Sequence, residues 1–441
     1  MNDDVVSAFR ALFRSGSLST LAVGLGLVLS ALIAALLARE LGPEGFGIYS
    51  VALSFAFITS AVLQFGLPSL VVREAARLRV SQSDSQLRFL WLWSNGLILL
   101  IFSLVAGGLI LAAYLLGDGA LTPGLALASL PLALVFALTG LQAATVRGVG
   151  KAVLSHLPEN LFRPASMLVL LSLLLISETA LTAELALNLL LASAVTAFSA
   201  SLVLVLLSFG ADRTRRWRTS EARQWMISGS RFWLSSILSV SIKHLDVILL
   251  GAFLGSAEAG IYKAAVTLSI LSLLPVTIFN TVLQPKISEL HTRNQLSDHR
   301  DLITRFARLG LMCGVLIFLF LSIFGGTVVS LVFGPGYEAA TIPLIILLVG
   351  GLINSGFGAV AILLDMCGHE KVVARTFFKA AVISVLLNIG LIPTFGILGA
   401  SIASALTTLF WNATLCLHVR KLLRMDSSAM GLHPWARDDQ A

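Results

Sequence analysis

The chain has 441 residues, 57% of them hydrophobic and only 12% charged, with a mean hydropathy of +0.93. Soluble domains carry about 25% charged residues, so a soluble protein is excluded. The net charge of +7 and the pI near 9.7 would suit nucleic acid, but the positions of the cations along the chain give them a different purpose.

At the start, Val5, Phe9, Leu12 and Phe13 share one helical face opposite Arg10 and Arg14. That pattern fits a short interfacial segment over 1–17 lying on the membrane, with a disordered end as the alternative. Twelve apolar segments follow, at roughly 18–38, 47–72, 89–116, 121–146, 161–177, 184–209, 231–254, 261–284, 306–333, 339–364, 376–394 and 397–419. Each is near the ~20 residues that a spanning helix needs. The first has no A-x-A cleavage site and runs into Arg39-Glu40, so it reads as a retained helix rather than a signal peptide. The connections alternate in charge. The N-terminus, every even-numbered connection and the tail hold 27 of the 30 Lys and Arg residues, and only Arg39, Lys243 and Lys263 break the pattern. Cytoplasmic loops collect Lys and Arg, which predicts twelve helices with both termini cytoplasmic. A wrong helix count would put the alternation out of phase. The basic pI is then an orientation signal beside anionic lipid heads, and no nucleic-acid partner is expected.

The chain also repeats itself. Leu41-Gly42-Pro43-Glu44-Gly45-Phe46-Gly47-Ile48-Tyr49 joins the first two segments, and Leu254-Gly255-Ser256-Ala257-Glu258-Ala259-Gly260-Ile261-Tyr262 joins the seventh and eighth, at an offset of 213. Arg147-Gly148-Val149-Gly150-Lys151 has a counterpart in Cys367-Gly368-His369-Glu370-Lys371. The fold class is therefore all-α and polytopic, with two six-helix lobes related by a parallel pseudo-two-fold repeat, because six is even and both halves enter from the same side. The expected divisions are an N-lobe over 18–210, a cytoplasmic linker over 211–223, a C-lobe over 224–421 and a cytoplasmic tail over 422–441. Such bundles hold substrate between their halves and rock one against the other.

Those junctions carry a resemblance. Ala38-Arg39-Glu40-Leu41-Gly42-Pro43-Glu44-Gly45-Phe46-Gly47-Ile48-Tyr49 resembles the start of bacterial polysaccharide biosynthesis proteins of the lipid-linked oligosaccharide flippase type. These are the O-antigen and exopolysaccharide flippases of the multidrug/oligosaccharidyl-lipid/polysaccharide exporter superfamily. The second junction, the Gly368-His369-Glu370-Lys371 loop and Asn388-Ile389-Gly390-Leu391-Ile392-Pro393-Thr394-Phe395-Gly396-Ile397-Leu398-Gly399-Ala400 are similar to it as well, so the likeness runs over nearly the whole chain. It implies a V-shaped transporter in the bacterial inner membrane that moves an undecaprenyl-diphosphate-linked oligosaccharide to the outer leaflet for O-antigen, capsule or exopolysaccharide assembly. The expected partners are membrane lipids and, in the same assembly, the polymerase and glycosyltransferases. A monomer without cofactor is expected. The lipid II flippase branch generally has two further helices, absent from this count.

Ionisable groups at membrane depth are costly and usually face a cavity or a partner. Lys243-His244-Leu245-Asp246 lies within the seventh segment, and Lys243 and Asp246 are three apart, on one helical face. The cluster reads either as a self-neutralised pair or as a polar patch for the diphosphate, with His244 as packing or proton-coupling residue. Asp246 and Asp365 are candidates for ion coupling, with Asp365 alternatively a plain charge at the inner boundary. Arg39 and Lys263, at the outer helix ends, either snorkel or receive the diphosphate. Arg163, Arg231 and Lys379, at inner helix starts, are anchors or an inner vestibule. Among the helical amides Gln64, Asn95, Gln142, Asn188, Asn280, Asn354, Asn388 and Asn412, interhelical bonding is the default role, while Gln64, Asn280 and Asn354 are candidates for sugar contact. Pro68, Pro131, Pro275 and Pro343 can bend helices. Cys313, Cys367 and Cys416 have no metal-ligand spacing and read as core thiols.

There is no Walker loop, no metal spacing and no phosphate-cradling glycine loop, and the connections are too short to fold as a catalytic domain. A membrane enzyme of polysaccharide assembly and a membrane scaffold are the remoter alternatives. A cation-coupled multidrug exporter of the same superfamily is the nearer one, and it would need an anionic or aromatic cavity instead of a cationic one. The topology is checked by cysteine labelling: Ser256 and Gly334 should be reached from outside, and Ser220 and Ser297 from inside.

Overall fold

The computed structural model describes residues 17–80, 84–116, 121–177, 179–209, 221–292 and 300–431. The proposed interfacial segment with Arg10 and Arg14, most of the linker and the last part of the tail lie outside them. All regular structure among the described residues is helical. In chain order the helices are α1 (Ser17–Leu63), α2 (Leu67–Val80), α3 (Asp84–Leu116), α4 (Leu121–Gly148) and α5 (Ala152–Leu157), then a π-helical turn (Pro158–Phe162). They continue as α6 (Arg163–Ile176), α7 (Ala183–Leu206), α8 (Ala222–Phe253), α9 (Ser256–Thr292), α10 (Arg300–Phe333), α11 (Thr341–Phe357), α12 (Val360–Met366), α13 (Glu370–Phe395) and α14 (Ile397–Leu423).

Eleven stretches among the described residues are long and apolar enough to cross a membrane. The first, Ala22–Leu63, has 42 residues and a contour of about 63 Å at 1.5 Å per residue, twice a ~30 Å hydrocarbon core. It is two crossings. Gly42, with φ 63° and ψ 178°, breaks the helix immediately before Pro43. The count is then the twelve expected from charge alternation, and the chain is a multi-pass membrane protein. The repeat is visible in the backbone, since Gly42 and its counterpart Gly255 both have positive φ, at 63° and 101°. At the second repeated loop the positive-φ residues are Gly150 and Gly368, two residues away from the register suggested by the sequence.

The chain forms two compact units, one over Leu21–Ala252 and the other including everything from Phe253 onward. In the first unit the N-terminal half of α8 is held by aromatic and backbone contacts. Trp225, 2% exposed, lies between Phe89 and Trp93 on α3, with centroids at 5.8 and 5.6 Å. Trp233 packs on Phe65 with the rings tilted, centroids 5.0 Å apart, and donates its Nε1–H to the Val62 carbonyl at 3.0 Å. Arg77 bridges Glu74 and Glu221, at 3.1 and 3.2 Å. The contact boundary thus falls at Ala252, in the last turn of α8, whereas the repeat places it in the linker 211–223.

The α1–α2 break lies at Phe65 and Gly66, both with positive φ. Pro68 sits in the first turn of α2, and Pro343 in the first turn of α11, where a missing N–H costs little. Neither therefore bends a helix interior; Pro131, inside α4, can. In the second unit the core gathers Ile287, Ile303, Phe306, Leu363, Leu415 and Val419. The three cysteines are free, and Cys367 and Cys416 are buried.

A side chain at Gly66 would meet the Gly229 carbonyl and, at 2.7 Å, the Trp233 nitrogen, whereas one at Gly42 would meet open space. Gly42→Ala should cost about 1–3 kcal/mol, since φ 63° with ψ 178° is a conformation essentially reserved for glycine. Gly66→Ala adds a backbone clash that cannot relax without moving α8, and should lower the melting temperature in detergent by a clearly larger margin.

Candidate functional site

Four helices of the first unit bring flat and cationic groups into one stack. On α6 the Arg163 guanidinium lies 5.1 Å from the ring centroid of Phe136 on α4. Phe136 stacks on Phe57 of α1 at 5.0 Å and 23°. Phe57 in turn stacks on the His244 imidazole of α8 at 4.7 Å and 20°. Near-parallel rings at these separations are offset-stacked, and a guanidinium over a ring face contributes roughly 0.5–2 kcal/mol depending on desolvation. Lys243, next in the chain to His244, is exposed, while Asp246 is 7% exposed and accepts the Val247 N–H at 2.8 Å. Thus α8 offers an ammonium outward and a carboxylate inward.

A second group of charges adjoins Arg163. Arg147 on α4 and His156 on α5 are coupled electrostatically to Glu159, and the buried Tyr49 is coupled to Arg163. Glu159 and Asn160 belong to the π-helical turn that Pro158 opens. Gly26 of α1 approaches the Asn160 carbonyl so closely that a Cβ there would overlap it. Single π-turns are rare and concentrate at functional sites. The cations Arg147, Arg163 and Lys243 outnumber the carboxylates Glu159 and Asp246.

Of the residues anticipated from sequence, Arg163 and His244 are joined by this stack, and Lys243 and Asp246 flank it. Gln64 lies close to Ser60, with Nε2 at 3.5 Å from its hydroxyl, and packs on Gly140. The others lie elsewhere. Arg39 and Lys379 are exposed, and Lys263 is half-buried. The side chain of Arg231 is outside the described residues. Asn354 accepts a hydrogen bond from Asn412 at 3.2 Å, across α11 and α14. Asn280 lines a void of about 10 Å³ among Phe279, Phe306 and Ser355, room for a single water and not for a sugar. Asn95 and Gln142 bond each other at 3.0 Å, and Trp91 donates to Gln142. Phe57, Phe136 and His156 carry no site signal in the sequence, and Tyr49 and Arg147 stand out there only as parts of the repeats. For Glu159 the one available signal is Pro158-Glu159-Asn160, an acid and an amide at the mouth of an apolar run.

A family model described as polysaccharide biosynthesis protein matches residues 12–291. Two curated relatives come from Haloferax volcanii. A probable flippase AglR is 28% identical over 185 residues, and a probable low-salt glycan biosynthesis flippase Agl15 is 25% identical over 174. Each alignment covers 40% of this chain and spans only 37% of the relative. Among solved structures, an inward-facing multidrug resistance transporter of the MATE family superposes with a TM-score of 0.68, at 14% identity, over 92% of this chain and 98% of that one. The lipid II flippase MurJ does so with 0.66, at 13% identity, over 91% and 87%. A transporter of the same superfamily from Pyrococcus furiosus, described by the reverse polarity of its binding pocket, gives 0.66 at 15% identity over 92% and 95%. These likenesses establish the fold.

Asp365, on α12 beyond the crossing that ends at Phe357, is half-buried, and burial followed by Glu370 pushes its carboxyl up to about 6. A raised carboxyl favours the folded state below its ordinary value near 3.8, and that contribution is lost as the pH rises through about 6. Asp365→Asn should therefore melt above the parent protein at pH 7.5, by about 1 kcal/mol after screening of its exposed part. The gap should close by pH 4; an equal gap at both pH values would contradict this.

Proposed function

Because this chain belongs to the polysaccharide biosynthesis protein family, we propose that it is a flippase, moving an undecaprenyl-diphosphate-linked oligosaccharide across a bacterial inner membrane by alternating access. The glycan goes into O-antigen, capsule or exopolysaccharide, both termini face the cytoplasm, and the polymerase and glycosyltransferases act on either side of the step. The observation that carries this reading is the stack Arg163–Phe136–Phe57–His244 with Lys243 beside it. A diphosphate asks for cationic donors, and guanidinium and ammonium supply charge-assisted hydrogen bonds of about twice the ordinary strength. Sugar rings present C–H faces that lie flat on aromatic rings. The prenyl tail stays in lipid and needs no protein site. Gln64, one helical stretch from Phe57 on α1, provides an amide for hydroxyls.

The N-terminal half of α8 supplies the moving part. Glu221–Arg77–Glu74, Trp225 and Trp233 fasten it to α1, α2 and α3, on the side where the cations collect. Releasing these contacts opens a path from the cytoplasm to Lys243 and His244; remaking them closes it. Asp246 is the candidate for coupling this cycle to a cation.

The multidrug transporters among the structural neighbours keep a cation-coupled exporter as the second reading. Its cargo is cationic, and a surplus of Arg and Lys over carboxylates around the stack repels it. A sugar-diphosphate lipid and a cationic dye, compared in the same liposomes, separate the two.

Lys243→Ala and Arg163→Gln should each lower flipping of a lipid-diphosphate sugar in liposomes at least tenfold, the first with unchanged melting temperature and the second with only the small loss that one cation–π contact carries. Lys243→Arg should keep part of the activity, since charge survives and shape does not. Wild-type transport by both neutral variants would remove the stack from the mechanism. Glu221→Gln weakens the clamp and should change the rate severalfold while leaving affinity for the lipid intact.

A further inference from the structure

Beyond α14 the described residues stay against the protein. Residues Met425–Ala429 are buried, and they form a strap across the break between α11 and α12. Asp426 pairs with Arg420 at 2.9 Å, and the Ala429 N–H donates to the Gly356 carbonyl at 2.9 Å. From α10, Arg308 Nε donates to the Ala429 carbonyl at 2.8 Å. That bond fixes an exposed guanidinium at the mouth of a notch of about 420 Å³, lined by Arg308, Leu311, Met312, Leu316, Ala429 and Met430. Arg305, also exposed, is one turn away on α10. Met312 and Leu316 are 56% and 62% exposed, and Met430 is 75% exposed.

We propose that this notch binds one anionic phospholipid, its phosphate on Arg308 and Arg305 and an acyl chain laid along Met312 and Leu316 beneath Met430. Three features commit the site to that occupant. The cations sit at the first turns of the spanning part of α10, which begins at Ile303, so they stand at headgroup depth. The wall below them is apolar for two helical turns, the direction an acyl chain takes. Among the described lining residues none is acidic, so the field at the mouth attracts phosphate; a basic side chain near a membrane surface favours anionic lipid about fivefold. A floor made by the strap distinguishes this notch from a bare lipid-facing helix: the lipid would touch the same residues that close the α11–α12 break, and its binding holds the strap in place.

The inference is independent of what the protein transports. Native mass spectrometry on the full chain, titrated with phosphatidylglycerol or phosphatidylcholine, tests it. One retained phosphatidylglycerol is expected, with retention reduced about fivefold in Arg308→Gln and largely kept in Arg308→Lys. Met312→Trp fills the groove without touching the guanidinium and should also lose the lipid, so a strap released by Arg308→Gln cannot by itself account for the result. Equal retention of the two lipids, or retention unchanged in Met312→Trp, overturns the proposal. Displacement of phosphatidylglycerol from the wild type by stoichiometric undecaprenyl phosphate also overturns it, because the notch would then serve the prenyl lipid.

Discussion

Inside a hydrocarbon core no water is available to satisfy a backbone N–H or C=O, so each must find its partner within the protein. Helices meet that demand residue by residue, and every place where this chain leaves the helix has to be covered by something else. At Gly66 the cover is α8, whose Gly229 carbonyl and Trp233 amide press directly on the turn. At the π-turn after Pro158 it is α1, through Gly26. At Gly358 it is the strap, since the Ser427 carbonyl sits where a side chain would be and Ser427 Oγ donates to the Phe357 carbonyl at 3.4 Å. At these three breaks the irregular backbone is also a close contact between segments, and glycine meets both demands at once, whereas the breaks at Gly42 and Gly255 face open space.

The polar side chains divide along a similar line. Some exist to bind helices to one another. Asn412 with Asn354 and Gln142 with Asn95 and Trp91 join pairs of helices, and such bonds are worth about 0.6 kcal/mol each in membranes. Others do not: Lys243, within an apolar run, is too expensive at depth to be kept for that, and Arg147 and Arg163 stand at helix ends close to the π-turn. They gather on one unit with the π-turn and the ring stack, which is why the functional reading rests there and not on the more widely scattered Arg39, Lys263 and Lys379.

Sequence reasoning reached the fold because its signals are periodic and redundant: alternating loop charge fixes the helix count, and Gly42 with Gly255 marks the repeat in letters and in backbone angles alike. It singled out Lys243, His244 and Asp246 because a charge in an apolar run stands out. It could not reach Phe57 or Phe136, since phenylalanine is ordinary in a membrane helix and only tertiary packing gives these two their neighbours. Arg163 was visible but indistinguishable from the anchoring cations around it. Asn354 shows the opposite failure, because a lone amide in a helix looks the same whether it faces a sugar or another amide. Pro68 and Pro343 looked like hinges and proved to open helices, where the missing N–H has no partner to lose.

The stack has a mechanical consequence of its own. Hydrogen bonds such as that from Trp233 to the Val62 carbonyl are directional and break when either partner moves by an ångström or so. Flat groups resting face to face resist being pulled apart but slide over one another at little cost, since offset arrangements are nearly equivalent. Arg163, Phe136, Phe57 and His244 therefore act as a lubricated seam linking α6, α4, α1 and α8. The far part of α8 is held by rings and by the directional bond at Trp233, while at His244 the same helix meets Phe57 through a face contact that keeps its cover when the two groups are offset.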